Sequence, residues 1–121
     1  MSQYESREDY LERIYILSLE KDKVRAIDIA TSLSYSKPSV SIALKKLKDE
    51  NLITVDKHGA IELTLEGLNI AMKIYEKHQT ITSFLISIGV NEKQALIDAC
   101  KIEHDLSEES FNAIKELTIK N

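Results

Sequence analysis

Residues 24–64 read VRAIDIATSLSYSKPSVSIALKKLKDENLITVDKHGAIELT, and the order of patterns within this stretch decides the fold. The first part has apolar residues at the spacing i, i+3, i+4, i+7, which predicts a short helix; they are Ala26, Ile29, Ala30 and Leu33. A second helix is predicted to begin at Ser36 as N-cap, with Pro38 just inside, where its missing N–H costs nothing.

Two short helices joined by the link of residues 34–36 are typical of a helix-turn-helix, and the second of them is basic. Two β-branched runs follow within residues 52–64, on either side of Asp56-Lys57-His58-Gly59. This pattern predicts a β-hairpin in which Gly59 takes a positive φ. A helix-turn-helix followed at once by a hairpin is a winged helix.

Helices are also predicted on both sides of the winged helix. An apolar stripe spans residues 6–20; downstream, one helix runs from the N-cap Thr64 to a stop at Gly89, another from Asn91 to about His104, and a last one from Ser107. We therefore expect a mostly α protein, with an N-terminal winged helix-turn-helix in residues 1–70 and a helical domain in residues 71–121. The apolar faces of the last helices would meet their copies in a homodimer.

Composition and charge narrow the class of protein further. The chain has 121 residues and a single Cys, which cannot form an intrachain disulfide. It has no apolar run near the ~18 residues that a membrane span needs, so we expect a cytoplasmic protein without membrane contact.

The net charge is −4, but residues 37–48 carry four Lys and no acid. Such a local basic stripe can still bind phosphate on an acidic protein. Salt screens electrostatic interactions beyond about 8 to 10 Å, so acidic residues elsewhere on the protein repel the phosphate little.

Residues 99–105, ACKIEHD, contain three good metal ligands at the spacing i, i+3, i+4, namely Cys100, Glu103 and His104. On the predicted helix they would project from one face, and thiolate, carboxylate and imidazole all bind divalent transition metals. Asp9 and Glu12 place two carboxylates on one face of the first helix, and His78 lies within the long helix. Each residue also has a structural interpretation, as a buried small apolar group, a helix-dipole acid or a surface His. The residues alone leave both interpretations open.

Five motifs taken together resemble a known family. They are DYLERIYIL at 9–17, SKPSVS at 36–41, LTLEG at 63–67, FLISIGV at 84–90 and ACKIEHDLS at 99–107. Across almost its entire length the chain resembles the metal-dependent transcriptional repressors of the diphtheria toxin repressor and manganese transport regulator family. The resemblance implies a homodimeric repressor that binds a palindromic double-stranded DNA operator in response to metal and controls metal homeostasis genes.

The resemblance also implies a ligand set. Carried over residue by residue, the ligands of the manganese-regulator branch fall on Asp9, Glu12, His78, Glu103 and His104. Cys100 departs from that branch, which has a carboxylate there, and matches the iron-responsive branch; two further ligand positions of the iron-responsive branch are occupied by Thr82 and Leu96. This hybrid set favours Fe(II), with Mn(II) close behind, and admits Co(II) and Zn(II).

The DNA contacts are expected at the start and along the exposed face of the second helix of the helix-turn-helix, and at the wing. The residues are Ser36, Lys37, Pro38, Ser39, Ser41, Lys45, Lys46 and Lys57. Two other functions stay open: a winged-helix regulator that responds to an organic ligand or protein partner, and a non-haem metal enzyme. The sequence lacks a glycine-rich phosphate loop and a nucleophile paired with a base, so we expect no catalysis.

Overall fold

The computed structural model describes the backbone of residues 3–120 and the side chains of residues 7–118. Its elements are α1 (Gln3–Glu20), α2 (Ala26–Leu33), α3 (Lys37–Asp49), β1 (Ile53–Val55), β2 (Ile61–Leu63), α4 (Leu65–Ser87), α5 (Glu92–Ile102) and α6 (Glu108–Lys120). The predicted mostly α class with a small hairpin is confirmed. The chain divides into two compact units, Met1–Met72 and Lys73–Asn121. Within the described range, no helix combines the length and the apolar character needed to cross a bilayer.

The helices α2 and α3 form the predicted helix-turn-helix. At the start of α2 the carboxylate of Asp28 accepts the Lys21 ammonium at 2.6 Å and the backbone N–H of Arg25 at 2.9 Å. These two donors, Lys21 first, hold the pKa of Asp28 below its usual range. At the end of α2, Ser34 adopts the left-handed conformation with φ of 58°. The predicted cap of α3 is confirmed, since the Ser36 hydroxyl accepts the backbone N–H of Ser39 at 3.3 Å. Local hydrogen bonds therefore define both ends of the three-residue link.

The wing is the antiparallel pair β1 and β2, in a register that places Thr54 opposite Glu62. Its turn is organised by Asp56, whose carboxylate accepts the backbone N–H groups of Ala60 at 2.9 Å and His58 at 2.8 Å. These two donors, Ala60 first, hold the pKa of Asp56 below its usual range. Gly59 has φ of 83°, so the predicted positive φ is confirmed.

The second strand of the hairpin also pairs with the segment before α2, which the sequence patterns do not predict. The backbone N–H of Ile61 donates to the carbonyl of Val24 at 2.7 Å, forming an isolated antiparallel bridge. Val24 and Ile61 are also both buried. The segment that precedes α2 therefore ties the helix-turn-helix to the wing.

The core of the first unit lies where α1 packs on α2, α3 and β2. Aliphatic side chains fill it almost entirely, together with one aromatic residue: Tyr10, Leu11, Ile14, Val24, Ile29, Ala30, Val40, Leu44, Leu47, Leu52, Ile53, Ile61 and Ala71. Tyr10 meets Tyr35 edge to face, with ring centroids 5.7 Å apart. Because Tyr35 belongs to the link of the helix-turn-helix, this contact holds α1 against the turn.

The start of α4 packs directly against the backbone that precedes β1. The Thr64 hydroxyl accepts the backbone N–H of Gly67 at 3.1 Å and donates to the carbonyl of Asn51 at 2.8 Å, which confirms the predicted cap. The backbone N–H of Thr64 donates to the carbonyl of Leu52 at 3.0 Å. A Cβ at Gly67 would lie only 2.0 Å from that same Leu52 oxygen. The motif LTLEG therefore combines a helix cap with a position that only glycine can occupy.

The second unit contains the end of α4 together with α5 and α6. Both predicted caps are present: the side chain of Asn91 accepts the backbone N–H of Gln94 at 2.9 Å, and the Ser107 hydroxyl accepts that of Ser110 at 3.1 Å. Its buried apolar side chains are Ile74, Ile81, Ala95, Ala99 and Phe111. An ion pair between Lys115 of α6 and Glu76 of α4, at 3.1 Å, joins the two helices at their surface.

Candidate metal centre and nucleic-acid interface

The sequence predicts that the ligands in ACKIEHD project from one helix face, and the structure shows that the helix carrying them ends earlier than predicted. The helix α5 ends at Ile102, two residues before the predicted end; Glu103 is its C-cap, with φ of −56° and ψ of −29°, and His104 lies in the following turn. The turn closes because the backbone N–H of Asp105 donates to the carbonyl of Ile102 at 2.9 Å. As a result Glu103 is buried with only 1 % of its surface exposed, whereas Cys100 remains exposed on α5.

Three side chains from α4 and the end of α5 converge within the second unit; we call His78, Cys100 and Glu103 the His78 cluster. The Nδ1 atom of His78 lies 3.0 Å from Oε2 of Glu103 and 3.7 Å from Sγ of Cys100. One ligand atom from each of the three lies within 4.8 Å of the others. An imidazole, a thiol and a carboxylate are therefore close enough to share one ion.

The electrostatics of the His78 cluster favour a positive charge at its centre. Cys100 and, after it, Glu103 raise the pKa of His78 to about 10, and they outweigh burial, which alone would lower it. At neutral pH the imidazole ring is therefore protonated and carries the positive charge that these neighbours favour. A histidine nitrogen that binds a metal must first lose its proton, so cation and proton compete for the same atom.

Glu103 supplies the observation that tests whether the residues fit a metal. Its Oε1 atom is buried and has no hydrogen-bond partner among the described residues. The Nε2 atom of His104 is 3.5 Å away, within range of an ion pair but without a hydrogen bond. A buried polar atom without a partner costs about 1–3 kcal/mol, and more when charged. Because hard carboxylate, imidazole and soft thiolate are a donor set typical of first-row transition metals, a divalent cation of that class fits this site.

The two remaining predicted ligands lie in the first unit. Asp9 and Glu12 are three residues apart on α1 and therefore share a face of that helix. Glu12 is buried and Asp9 is partly exposed. In the second unit the structure brings together His78, Cys100 and Glu103, with His104 beside Glu103.

One residue near the His78 cluster has a role that the sequence patterns do not reveal. Thr82 is buried, and its hydroxyl donates to the carbonyl of His78 at 2.7 Å, one turn earlier on α4. This bond satisfies the hydroxyl locally. The only available signal is the i, i+4 spacing of Thr82 from His78, which is too common in helices to be informative.

The predicted DNA contacts lie mainly on the outer face of α3. Val40, Leu44 and Leu47 are buried, so the remaining faces of the helix point to solvent. The predicted contact residues are all exposed: Ser36, Lys37, Pro38, Ser39, Ser41, Lys45, Lys46 and, on the wing, Lys57. The hydroxyl of Ser36 also donates to that of Ser39 at 2.9 Å, so these two serines form the cap of α3.

Family models match both parts of the chain. The model described as the iron dependent repressor, N-terminal DNA binding domain, matches residues 4–61. The model described as the iron dependent repressor, metal binding and dimerisation domain, matches residues 64–119. Together the two matches cover almost the entire sequence and include every residue predicted above to bind metal or DNA.

Similar proteins agree with these matches. The chain is 37% identical over 113 residues to an uncharacterized HTH-type transcriptional regulator of Methanocaldococcus jannaschii, covering 92% of this chain and 90% of that protein. It is 38% identical over 112 residues to the HTH-type transcriptional regulator MntR of Geobacillus thermodenitrificans, covering 93% and 79%. The solved structure of the manganese regulator SloR is 33% identical, with a TM-score of 0.81, over 92% of this chain and 52% of that one. The chain thus spans about half the length of that solved structure. With both of its domains matched, the chain belongs to the iron-dependent repressor family of transcriptional regulators.

Proposed function

We propose that this protein is a metal-dependent transcriptional repressor that senses Fe(II) or Mn(II) and controls metal homeostasis genes. The observation that carries the proposal is the carboxylate of Glu103: its Oε2 atom contacts His78 in the His78 cluster, while its buried Oε1 atom has no hydrogen bond among the described residues. The matches to a DNA-binding domain and to a metal-binding and dimerisation domain support the rest. We place the domain boundary after residue 70 and propose that the protein acts in the cytoplasm, away from membranes, as a homodimer on a palindromic operator.

The proposed ligand set extends beyond the His78 cluster. It comprises Asp9, Glu12, His78, Cys100, Glu103 and His104, on the basis of their donor chemistry and of the family resemblance. A bound divalent cation would supply the positive charge that these acidic and thiol groups favour. Glu103 would present its ligand atoms from a buried position and His78 from a half-buried one, while Asp9 and Glu12 would present carboxylates from α1. Through these six side chains the DNA-binding domain would be fixed relative to the dimerisation domain.

Fixing the DNA-binding domain explains how metal controls DNA affinity. A dimer reads two half-sites only when its recognition helices are separated by a whole number of DNA turns, roughly 34–36 Å each. A metal-free dimer that samples many separations holds this one only part of the time. Moving the competent state from 1:99 to 99:1 requires that the ion prefer it by about 5.5 kcal/mol. Several coordinate bonds made only in that state would provide the difference.

The direct test is DNA binding by the purified full chain under anaerobic conditions, on sites selected from a random DNA pool. Fe(II), Mn(II), Zn(II) and a chelator are titrated in parallel. We expect tight binding with Fe(II) or Mn(II) and at least 100-fold weaker binding in the chelator, since a 1:99 equilibrium leaves about one hundredth of the dimer competent. Equal binding in the chelator would contradict the proposal and favour a regulator that responds to an organic ligand or protein partner.

Cys100 is expected to set the choice between metals. The substitution Cys100→Glu replaces a soft thiolate by a hard carboxylate, so the response should shift from Fe(II) towards Mn(II). The measurement is the ratio of the two metal concentrations that give half-maximal DNA binding. Cys100→Ser is the matched control, because it removes the thiolate without adding a carboxylate, and we expect it to weaken the response to Fe(II) more than to Mn(II). An unchanged ratio in Cys100→Glu would exclude the thiolate as the selective group.

The basic residues of α3 are expected to contact phosphates. Each phosphate contact contributes about −0.9 to the slope of log affinity against log salt. The double substitution Lys45→Ala, Lys46→Ala removes two contacts from each protomer of the dimer, so it should make this slope less steep by roughly 3.6 and weaken binding to all DNA sequences alike. Lys93→Ala is the control, since Lys93 is equally exposed but lies on α5 in the second unit. A slope unchanged by the double substitution would place the phosphate contacts elsewhere.

We also propose that the protein has no catalytic activity. The acid and histidine of the His78 cluster, buried Glu103 and half-buried His78, hydrogen-bond to each other. This arrangement suits a closed ligand set better than an open site with substrate positions. Oxygen-dependent turnover of a small molecule by the Fe(II)-loaded protein would overturn this part of the proposal.

A further inference from the structure

Apart from Pro38 in its first turn, the helix α3 exposes one apolar side chain on its outer face. Ile42 is 63 % exposed, whereas the residues that α3 contributes to the core are buried. Ser39 lies one turn before it and Lys45 and Lys46 lie one turn after it, and all three are exposed. Ile42 therefore occupies the middle of a face bounded by a polar start and a basic end.

Packing gives no reason for an isoleucine at this position. Ile42 is absent from the described core of the first unit, to which α3 contributes Val40, Leu44 and Leu47. A β-branched residue also lowers helix propensity relative to alanine, because its χ1 rotamers are restricted. Single exposed apolar residues are common on proteins, so exposure alone is not informative. The informative feature is its place on α3.

That place is where a helix-turn-helix protein reads bases. Ile42 is the sixth residue of α3, within the N-terminal half that enters the major groove in such proteins. The Ile42 side chain has no hydrogen-bond donor or acceptor. Among the base edges in the major groove, the 5-methyl group of thymine is the apolar feature that it can contact. Residues 37–48 contain no acid that would repel the adjacent phosphates.

We infer that Ile42 is a specificity-determining residue that selects thymine in each half-site by contact with its 5-methyl group. The inference rests on the proposed function, since it requires that α3 enter the major groove. Lys45 and Lys46 would hold phosphates and fix the position of the helix. Ser36 and Ser39, whose hydroxyls form the cap of α3, and Pro38 lie at the start of the helix, one turn or more before Ile42, so Ile42 would contact a different base.

The test removes one methyl group at a time from the DNA. A site is selected from a random pool with the metal-loaded full chain, and each of its thymines is replaced singly by deoxyuridine, which lacks the 5-methyl group. Losing one buried methyl contact should weaken binding of the wild type about fourfold at the contacted thymine. In Ile42→Ala the same replacement should have no effect. Ile27→Ala, which truncates an isoleucine that is 50 % exposed on α2, should keep the fourfold effect.

A second variant tests the same contact with a polar side chain. Glutamine recognises adenine through its N6 and N7 atoms and makes no use of the thymine methyl group, so binding by Ile42→Gln to its reselected site should not weaken when the thymine at that position becomes deoxyuridine. Deoxyuridine effects that are the same in wild type and in Ile42→Ala or Ile42→Gln would overturn the inference while leaving the proposed function intact. Failure of the metal-loaded wild type to enrich any site would overturn both.

Discussion

Replacing Glu103 by glutamine is expected to lower the affinity for Mn(II) or Fe(II) by about 100-fold or more, and with it metal-dependent DNA binding. Losing a partner one shell removed from a metal typically costs about 10–100-fold, so the loss of a ligand should cost at least as much. The amide has the same shape as the carboxylate, and its oxygen can still accept a hydrogen bond from His78, whose Nδ1 lies 3.0 Å from Oε2. The fold should therefore survive, while the charge that favours a cation is removed.

The measurement is calorimetric titration of metal-free protein with Mn(II), combined with thermal unfolding to confirm the fold. Glu108→Gln is the matched control, because Glu108 lies in the same unit, on the exposed start of α6, and pairs with Lys77 at 3.6 Å. We expect Glu108→Gln to bind metal as the wild type does. If Glu103→Gln kept wild-type metal affinity, Glu103 would be only a partner of His78 and the proposed ligand set would be wrong.

Replacing Gly67 by alanine is expected to destabilise the protein by about 3 kcal/mol, the upper end of the usual cost of overpacking. The added Cβ would lie 2.0 Å from the carbonyl oxygen of Leu52. That oxygen cannot move aside easily, because it accepts the backbone N–H of Thr64 at 3.0 Å. Relief of the clash would therefore displace the start of α4 from the winged helix. For a chain of this size the loss corresponds to a fall in Tm of about 12 °C.

Chemical and thermal unfolding of the metal-free protein would measure this effect, and Gly59→Ala provides a graded control. Gly59 has φ of +83° but no atom within 4 Å of an added Cβ. Only the backbone conformation then opposes the side chain, at a cost of about 1 kcal/mol. If Gly67→Ala were no more destabilising than Gly59→Ala, the close approach of α4 to Leu52 would not be a constraint on the fold.

The sequence by itself determined the order of elements and the positions of four helix caps. Ser36, Thr64, Asn91 and Ser107 each cap a helix by accepting a backbone N–H three residues later. Such contacts depend on the local chain alone, so a residue type in the right place is sufficient to predict them. The hairpin turn at Gly59 was predictable for the same reason. The residue types of the proposed metal ligands could also be identified from the sequence, and the family resemblance assigned them to one metal centre.

Only the tertiary structure decided which of these side chains come into contact, how deeply they are buried and how their pKa values shift. His78 and Glu103 are 25 residues apart, and their 3.0 Å contact depends on how α4 and α5 pack. The burial of Glu103, the orphaned Oε1 atom and the raised pKa of His78 all follow from that packing. The bridge between Val24 and Ile61 is long-range in the same way. Spacing along a chain constrains neighbours within a turn or two, whereas burial and charge depend on every element that packs around a side chain.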